Sequence, residues 1–212
     1  MLRTTIKCLG VRHSTELEYF SMEKFNVSTF IFINQYAGKN NILDIILISA
    51  AEITPYLFIL VLAYLWFNSA LEKRESSFNC GLSVLVGMLT SYVISLFYYH
   101  PRPFAENLGT QIIAHAPDSS FPSDHTTFIF SISVMLLFNK TTRNLGAVLF
   151  ALSLISGLSR VFGGVHFPLD ILGAILVAVF SSVVVFKLRY KTHYLLSVWV
   201  KKMPNKSLKQ DK

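Results

Sequence analysis

The chain has 212 residues, 52% of them hydrophobic and 15% charged, with a mean hydropathy of +0.49. That balance excludes an ordinary soluble globule and fits a polytopic membrane protein. The formal charge of +7 does not point to nucleic acid: eight of the 19 Lys and Arg fall from Lys187 onward, directly after an apolar run, where a basic flank reads as a cytoplasmic topology signal.

Residues 1–21 are polar and mixed, with Arg3, Lys7, Arg12, His13, Glu16 and Glu18. They lack the apolar centre of a secretory signal and precede a second methionine, Met22, so they are expected to be a dispensable extension. Phe25 to Asn34 suits an interfacial helix. The apolar run from Ile42 to Phe67 is interrupted by Asp44, Glu52 and Pro55, and reads as one kinked helix or as a short helix preceding a span. Leu82 to Tyr99 carries no charge. Thr126 to Phe138 is short and reaches spanning length only if its helix begins near Ser123. Leu145 to Leu158 and Phe167 to Phe186 follow, the latter broken only by Asp170. With about 20 residues needed per span, the expectation is an all-α membrane bundle of five helices, or six, over residues 22–190, ending in a basic tail over 191–212. Cys8 and Cys80 give neither a metal-ligand spacing nor a disulfide framework.

Connections 68–78 and 139–144 contain Lys73, Arg74, Lys140 and Arg143, whereas 100–125 has Arg102 alone beside Glu106, Asp118 and Asp124. The positive-inside rule then makes the long connection external. Alternating spans bring Arg102, Ser123, His125, Arg160 and His166 to that same side. Charged groups at membrane depth are functional-site hypotheses by default.

These residues suit phosphate. Ser123 is a good N-cap type, and the first-turn N–H groups of the helix after it can hold an anion. Arg102 and Arg160 suit bidentate phosphate contacts. Gly163 and Gly164 can make a tight reversal, so that Arg160 and His166 face one ligand. Pro168 fits a first helical position, and Asp170 follows His166 by four residues. The carboxylate can therefore take a proton from one imidazole nitrogen while the other points into the site. His166 is thus a nucleophile candidate and His125 a general-acid candidate. Taken singly, each has a structural explanation: an interfacial anchor, a helix cap, a loop glycine. Their grouping on one side is what points to chemistry.

At these residues the sequence resembles the type-2 phosphatidic acid phosphatase (PAP2) superfamily of membrane phosphatases. Its pattern runs Lys-x6-Arg-Pro, then Pro-Ser-Gly-His, then Ser-Arg-x5-His-x3-Asp. Ser159, Arg160, His166 and Asp170 match the third element fully, and Asp124 replaces glycine in the second. The first matches in Arg102-Pro103, with Ser95 at the lysine position. The longer strings at 100–109, 120–125 and 159–170 are similar to those of bacterial undecaprenyl-diphosphate phosphatases linked to bacitracin resistance.

The resemblance implies a site without metal or cofactor, facing the periplasm from the bacterial inner membrane. In it His166 attacks the terminal phosphorus to form a phosphohistidine and Asp170 orients it. His125 protonates the departing lipid phosphate and then activates water. Arg102, Ser123, Arg160 and backbone amides near Asp124 hold phosphoryl oxygens. Glu106 and His115 either tune the external loop or meet the second phosphate, unless they are structural caps or solvated side chains. The expected partners are a lipid diphosphate and the bilayer, with neither nucleic acid nor an obligate protein partner. Alternatives are another lipid phosphate (phosphatidylglycerol phosphate, lipid A or phosphatidic acid), transfer to a lipid acceptor, or a non-catalytic lipid-binding scaffold.

Overall fold

The computed structural model describes residues 21–67, 70–191 and 193–194. The expected dispensable extension, apart from Ser21, and nearly all of the basic tail lie outside the described residues. The described chain is helical: α1 (21–34), α2 (Asn41–Phe67), α3 (Leu71–Phe97), a 3-10 turn (Pro103–Glu106), α4 (Asp124–Leu137), α5 (Arg143–Phe162) and α6 (Pro168–Lys187). Helices α2, α3, α5 and α6 are long and apolar enough to cross a membrane, and α4 is a shorter apolar helix. The expected five-helix bundle is therefore present, with α4 as its short member.

Fourteen residues make a helix of about 21 Å against roughly 30 Å of bilayer hydrocarbon. Helix α4 tolerates the mismatch because it packs against α3, α5 and α6 and is buried almost throughout from Thr126 to Leu136. Large apolar side chains such as Leu89, Phe97, Leu176 and Phe180 face outward. Small polar ones line the contacts between helices. Ser83 Oγ lies 3.2 and 2.9 Å from the Ser181 and Ser182 hydroxyls, and Ser181 in turn lies 3.4 Å from Ser131 Oγ on α4. Close approach of small residues is how membrane helices associate when burial of oil against oil gains nothing.

Helix α2 is continuous through Pro55, so the one-helix alternative holds. The Thr54 hydroxyl donates to Ala50 O (2.6 Å) beside the missing proline donor, which is how a membrane helix accommodates an interior proline. Two buried asparagines fasten α1 to the bundle. Asn34 Nδ2 donates to Thr110 O (2.8 Å) and Phe162 O (2.7 Å), while its Oδ1 accepts from Thr110 N (2.6 Å). Asn26 Oδ1 accepts from Leu169 N at the start of α6 (3.0 Å). Helix α1 thus clasps the bundle end where α3 and α5 finish and α4 and α6 begin.

Candidate active site

That end is organised by the turn from α5 into α6. Gly164 adopts φ +81°, a left-handed conformation that favours glycine. The carbonyl of Gly163 accepts from Ile112 N (3.1 Å) and Ile113 N (3.3 Å), which seats the long loop on the turn. Pro168 opens α6, and Asp170 Oδ2 accepts from Phe167 N (2.7 Å), closing the first turn.

His166 is buried between these segments. Its Nε2 lies 3.1 Å from Arg102 Nη1. A guanidinium has donors only, so Nε2 must be the acceptor and Nδ1 carries the proton. That proton points to Ser120 O (3.0 Å), with Ser120 Oγ at 3.2 Å and Asp170 Oδ2 at 3.5 Å. The Ser120 hydroxyl donates to Asp170 Oδ2 (2.5 Å). The carboxylate expected to take the imidazole proton directly therefore shares it with Ser120, whose carbonyl is the nearer acceptor. Ser120 lies inside a motif string, yet its position carries no charge or spacing signal.

Burial pushes His166 down to about 4, against the pull of the Asp170 hydrogen bond and charge, with the Arg102 and Arg160 charges lowering it further. The ring is accordingly neutral at ordinary pH, with its Nε2 lone pair intact.

Arg102 is held on several sides. Its Nε donates to Asp118 (2.7 Å), Nη1 to Val165 O (2.9 Å) and Nη2 to Ser119 O (3.3 Å). Arg160, equally buried, pairs with Glu52 of α2 at 3.5 Å. Sequence reading treated Glu52 as an interruption in an apolar run. The only available signal was a carboxylate at membrane depth, which calls for a partner. A phosphate bound at Arg160 would compete with this carboxylate. Glu52→Gln is therefore expected to strengthen inhibition by inorganic phosphate, by roughly threefold to tenfold as a Ki. Product-inhibition kinetics read this directly, and an unchanged Ki contradicts the competition.

Ser123 occupies the N-cap position of α4, but its hydroxyl pairs with Thr126 Oγ1 (2.9 Å) and makes no side-chain cap. Asp124 Oδ1 accepts from Ser91 Oγ (2.7 Å). No side chain therefore caps α4, leaving its first-turn N–H groups for an anion. His125 borders a groove of about 320 Å3 between α2, α3 and α4, with Glu52, Tyr56, Met88 and Phe128 on its walls. The His115 ring sits 6.4 Å from the His125 ring and 6.2 Å from the His166 ring, between the two. Burial lowers the pKa of His115, its hydrogen bond to Ala116 opposes this, and the Arg102 and Arg160 charges add to the lowering. Glu106 is exposed at the end of the 3-10 turn, and its side chain makes no hydrogen bond or ion pair among the described residues. Ser95 turns its hydroxyl back to Tyr92 O on its own helix (2.8 Å), so it stands in for no lost cation.

The structure thus brings Arg102, Ser123, His125, Arg160, His166 and Asp170 to one end of the bundle. The model of the PAP2 superfamily matches residues 77–194. The chain is 33% identical over 162 residues to undecaprenyl-diphosphatase BcrC of Bacillus subtilis, covering 76% of this chain and 83% of that protein. It is 30% identical over 203 residues to a protein of Bacillus licheniformis named bacitracin transport permease protein BcrC, covering 91% and 98%. Among solved structures, Aquifex aeolicus LpxE superposes with a TM-score of 0.65 at 24% identity, covering 77% of this chain and 95% of that one.

Proposed function

This chain belongs to the PAP2 superfamily and is a multi-pass membrane protein, and from that premise we propose that it hydrolyses undecaprenyl diphosphate to undecaprenyl phosphate and inorganic phosphate. The observation that carries the chemistry is the unprotonated Nε2 of His166, beside Arg102 and at the same bundle end as Arg160. The name of the 33%-identical relative supports the substrate.

In this reading Nε2 attacks the terminal phosphorus, and the bond to the bridging oxygen breaks. His125 gives that oxygen its proton. Water, deprotonated by His125, then breaks the phosphorus–nitrogen bond and releases phosphate. Arg102, Arg160, Ser123 and the uncapped amides of α4 hold the non-bridging oxygens, where fixed donors act most strongly on developing charge. Asp170 and Ser120 steady the imidazole as positive charge grows on it. The groove beside His125 gives the prenyl chain a path between helices. The site faces the periplasmic side of the bacterial inner membrane, and the reaction recycles the lipid carrier for cell-wall polysaccharide.

With His166 at about 4, acidification leaves the nucleophile unprotonated well below the ordinary histidine range. Phosphoenzyme formation in a single turnover is expected to persist at pH 5 and to fall as pH drops through about 4. Alkali-quenched rapid mixing measures it; a fall centred near 6.5 instead contradicts the assignment.

The deciding assay is phosphate release by detergent-purified protein from undecaprenyl diphosphate in EDTA, with His166→Ala as control. Release by the wild type alone is the expected result. Release from phosphatidylglycerol phosphate or phosphatidic acid in its place moves the substrate, and no release from any lipid phosphate removes the enzymatic reading.

A further inference from the structure

Asp170 has two oxygens, and only one is used by the groups described above. Oδ2 accepts from Phe167 N and from Ser120 Oγ, and faces the His166 proton. Oδ1 is buried without a hydrogen-bond partner. On its far side lies His100, whose Nδ1 is also buried without a partner, 3.6 Å away. Two facing orphans, one a donor when protonated and the other a carboxylate oxygen, are unstable as neighbours unless they bond. A shift of roughly half an ångström brings them to hydrogen-bond length.

The ring of His100 is placed for this contact. It stacks on Tyr98 (6.0 Å between centroids) and meets Phe167 edge-on (5.2 Å). Its backbone belongs to the same scaffold, because Ser120 N donates to His100 O (2.7 Å). Its other nitrogen, Nε2, lies 3.9 Å from Glu23 Oε1 on α1. The groups facing His100 are Glu23 from α1, Asp170 from α6 and the Tyr98 phenol ring from the segment after α3, while Arg102, two residues on, turns to His166. A cavity of about 360 Å3, lined by Met22, Glu23, Asn26, Tyr98, His100 and others, reaches Asp170 from this side and gives water and protons access.

We propose that His100 is a positioning residue for the reaction: its Nδ1, facing the free oxygen of Asp170, holds that carboxylate in place toward His166. The proposal rests on the phosphohistidine reading. It adds a third histidine, acting through Asp170. His100 loses nothing in size when replaced by phenylalanine but loses its proton, whereas glutamine keeps a donor without a charge.

The test uses full-length protein in detergent, with undecaprenyl diphosphate and separate measurement of kcat and KM. His100→Phe is expected to lower kcat roughly tenfold to a hundredfold with KM within about twofold. His100→Gln, which keeps a donor, is expected to recover part of the kcat. Wild-type kcat in His100→Phe overturns the proposal. So does lost activity that His100→Gln leaves unrecovered together with a lowered melting temperature, which marks a packing role. Wild-type enzyme that fails to turn over, or still does so as His166→Ala, refutes the phosphohistidine reading instead, and the two failures are read in separate samples.

Discussion

His166→Ala is expected to abolish phosphate release, by roughly 10⁴-fold or more, while the bundle stays folded. The loss is chemical because, among the described residues, no other group presents a lone pair in that place: Nε2 is fixed as the acceptor by Arg102. The fold survives because Arg102 keeps Asp118, Val165 O and Ser119 O, and the turn into α6 keeps its own backbone bonds. Trapping of radiolabelled phosphate on the protein reads the intermediate directly, and thermal melting checks the fold. A variant that releases phosphate at the wild-type rate removes His166 from the nucleophile role.

Asp170→Asn is expected to slow turnover by roughly 10²- to 10⁴-fold, the range seen when an orienting carboxylate beside a catalytic imidazole loses its charge. The amide oxygen can still accept from Phe167 N at the Oδ2 position, so α6 keeps its first turn. Its NH2 then faces His100 Nδ1 in place of an acceptor oxygen, and the negative charge that balances the phosphohistidine is gone. Single-turnover trapping is expected to reveal slower phosphoenzyme formation with KM little changed. An undiminished rate excludes Asp170 from orienting the nucleophile.

Much of this site was legible in the chain, for a physical reason. Phosphate held near a membrane needs permanent cations and imidazoles in surroundings that penalise them, so Arg102, His125, Arg160 and His166 stood out from their apolar neighbours. The start of α4 was legible because Thr126 to Phe138 was too short alone and needed Ser123 and Asp124. Ser120, Glu52 and His100 were not legible. Their roles arise from partners far away in sequence, Asp170 and Arg160, and no periodicity records such contacts. Ser123 illustrates the reverse: the residue type forecast its place at the helix start, but the Thr126 hydroxyl nearby took the bond that a cap would have used. Pro55 left two readings of α2, and hydrogen bonding by Thr54 fits the unbroken one.

In the proposed reaction, Arg102 resting on Nε2 makes the idle nucleophile a guarded one. Only a ligand with enough negative charge to draw the guanidinium toward itself exposes the lone pair. Admission to the reaction is thereby decided by charge before shape: a neutral electrophile of the right size meets a cation, whereas a diphosphate unlocks the group that attacks it.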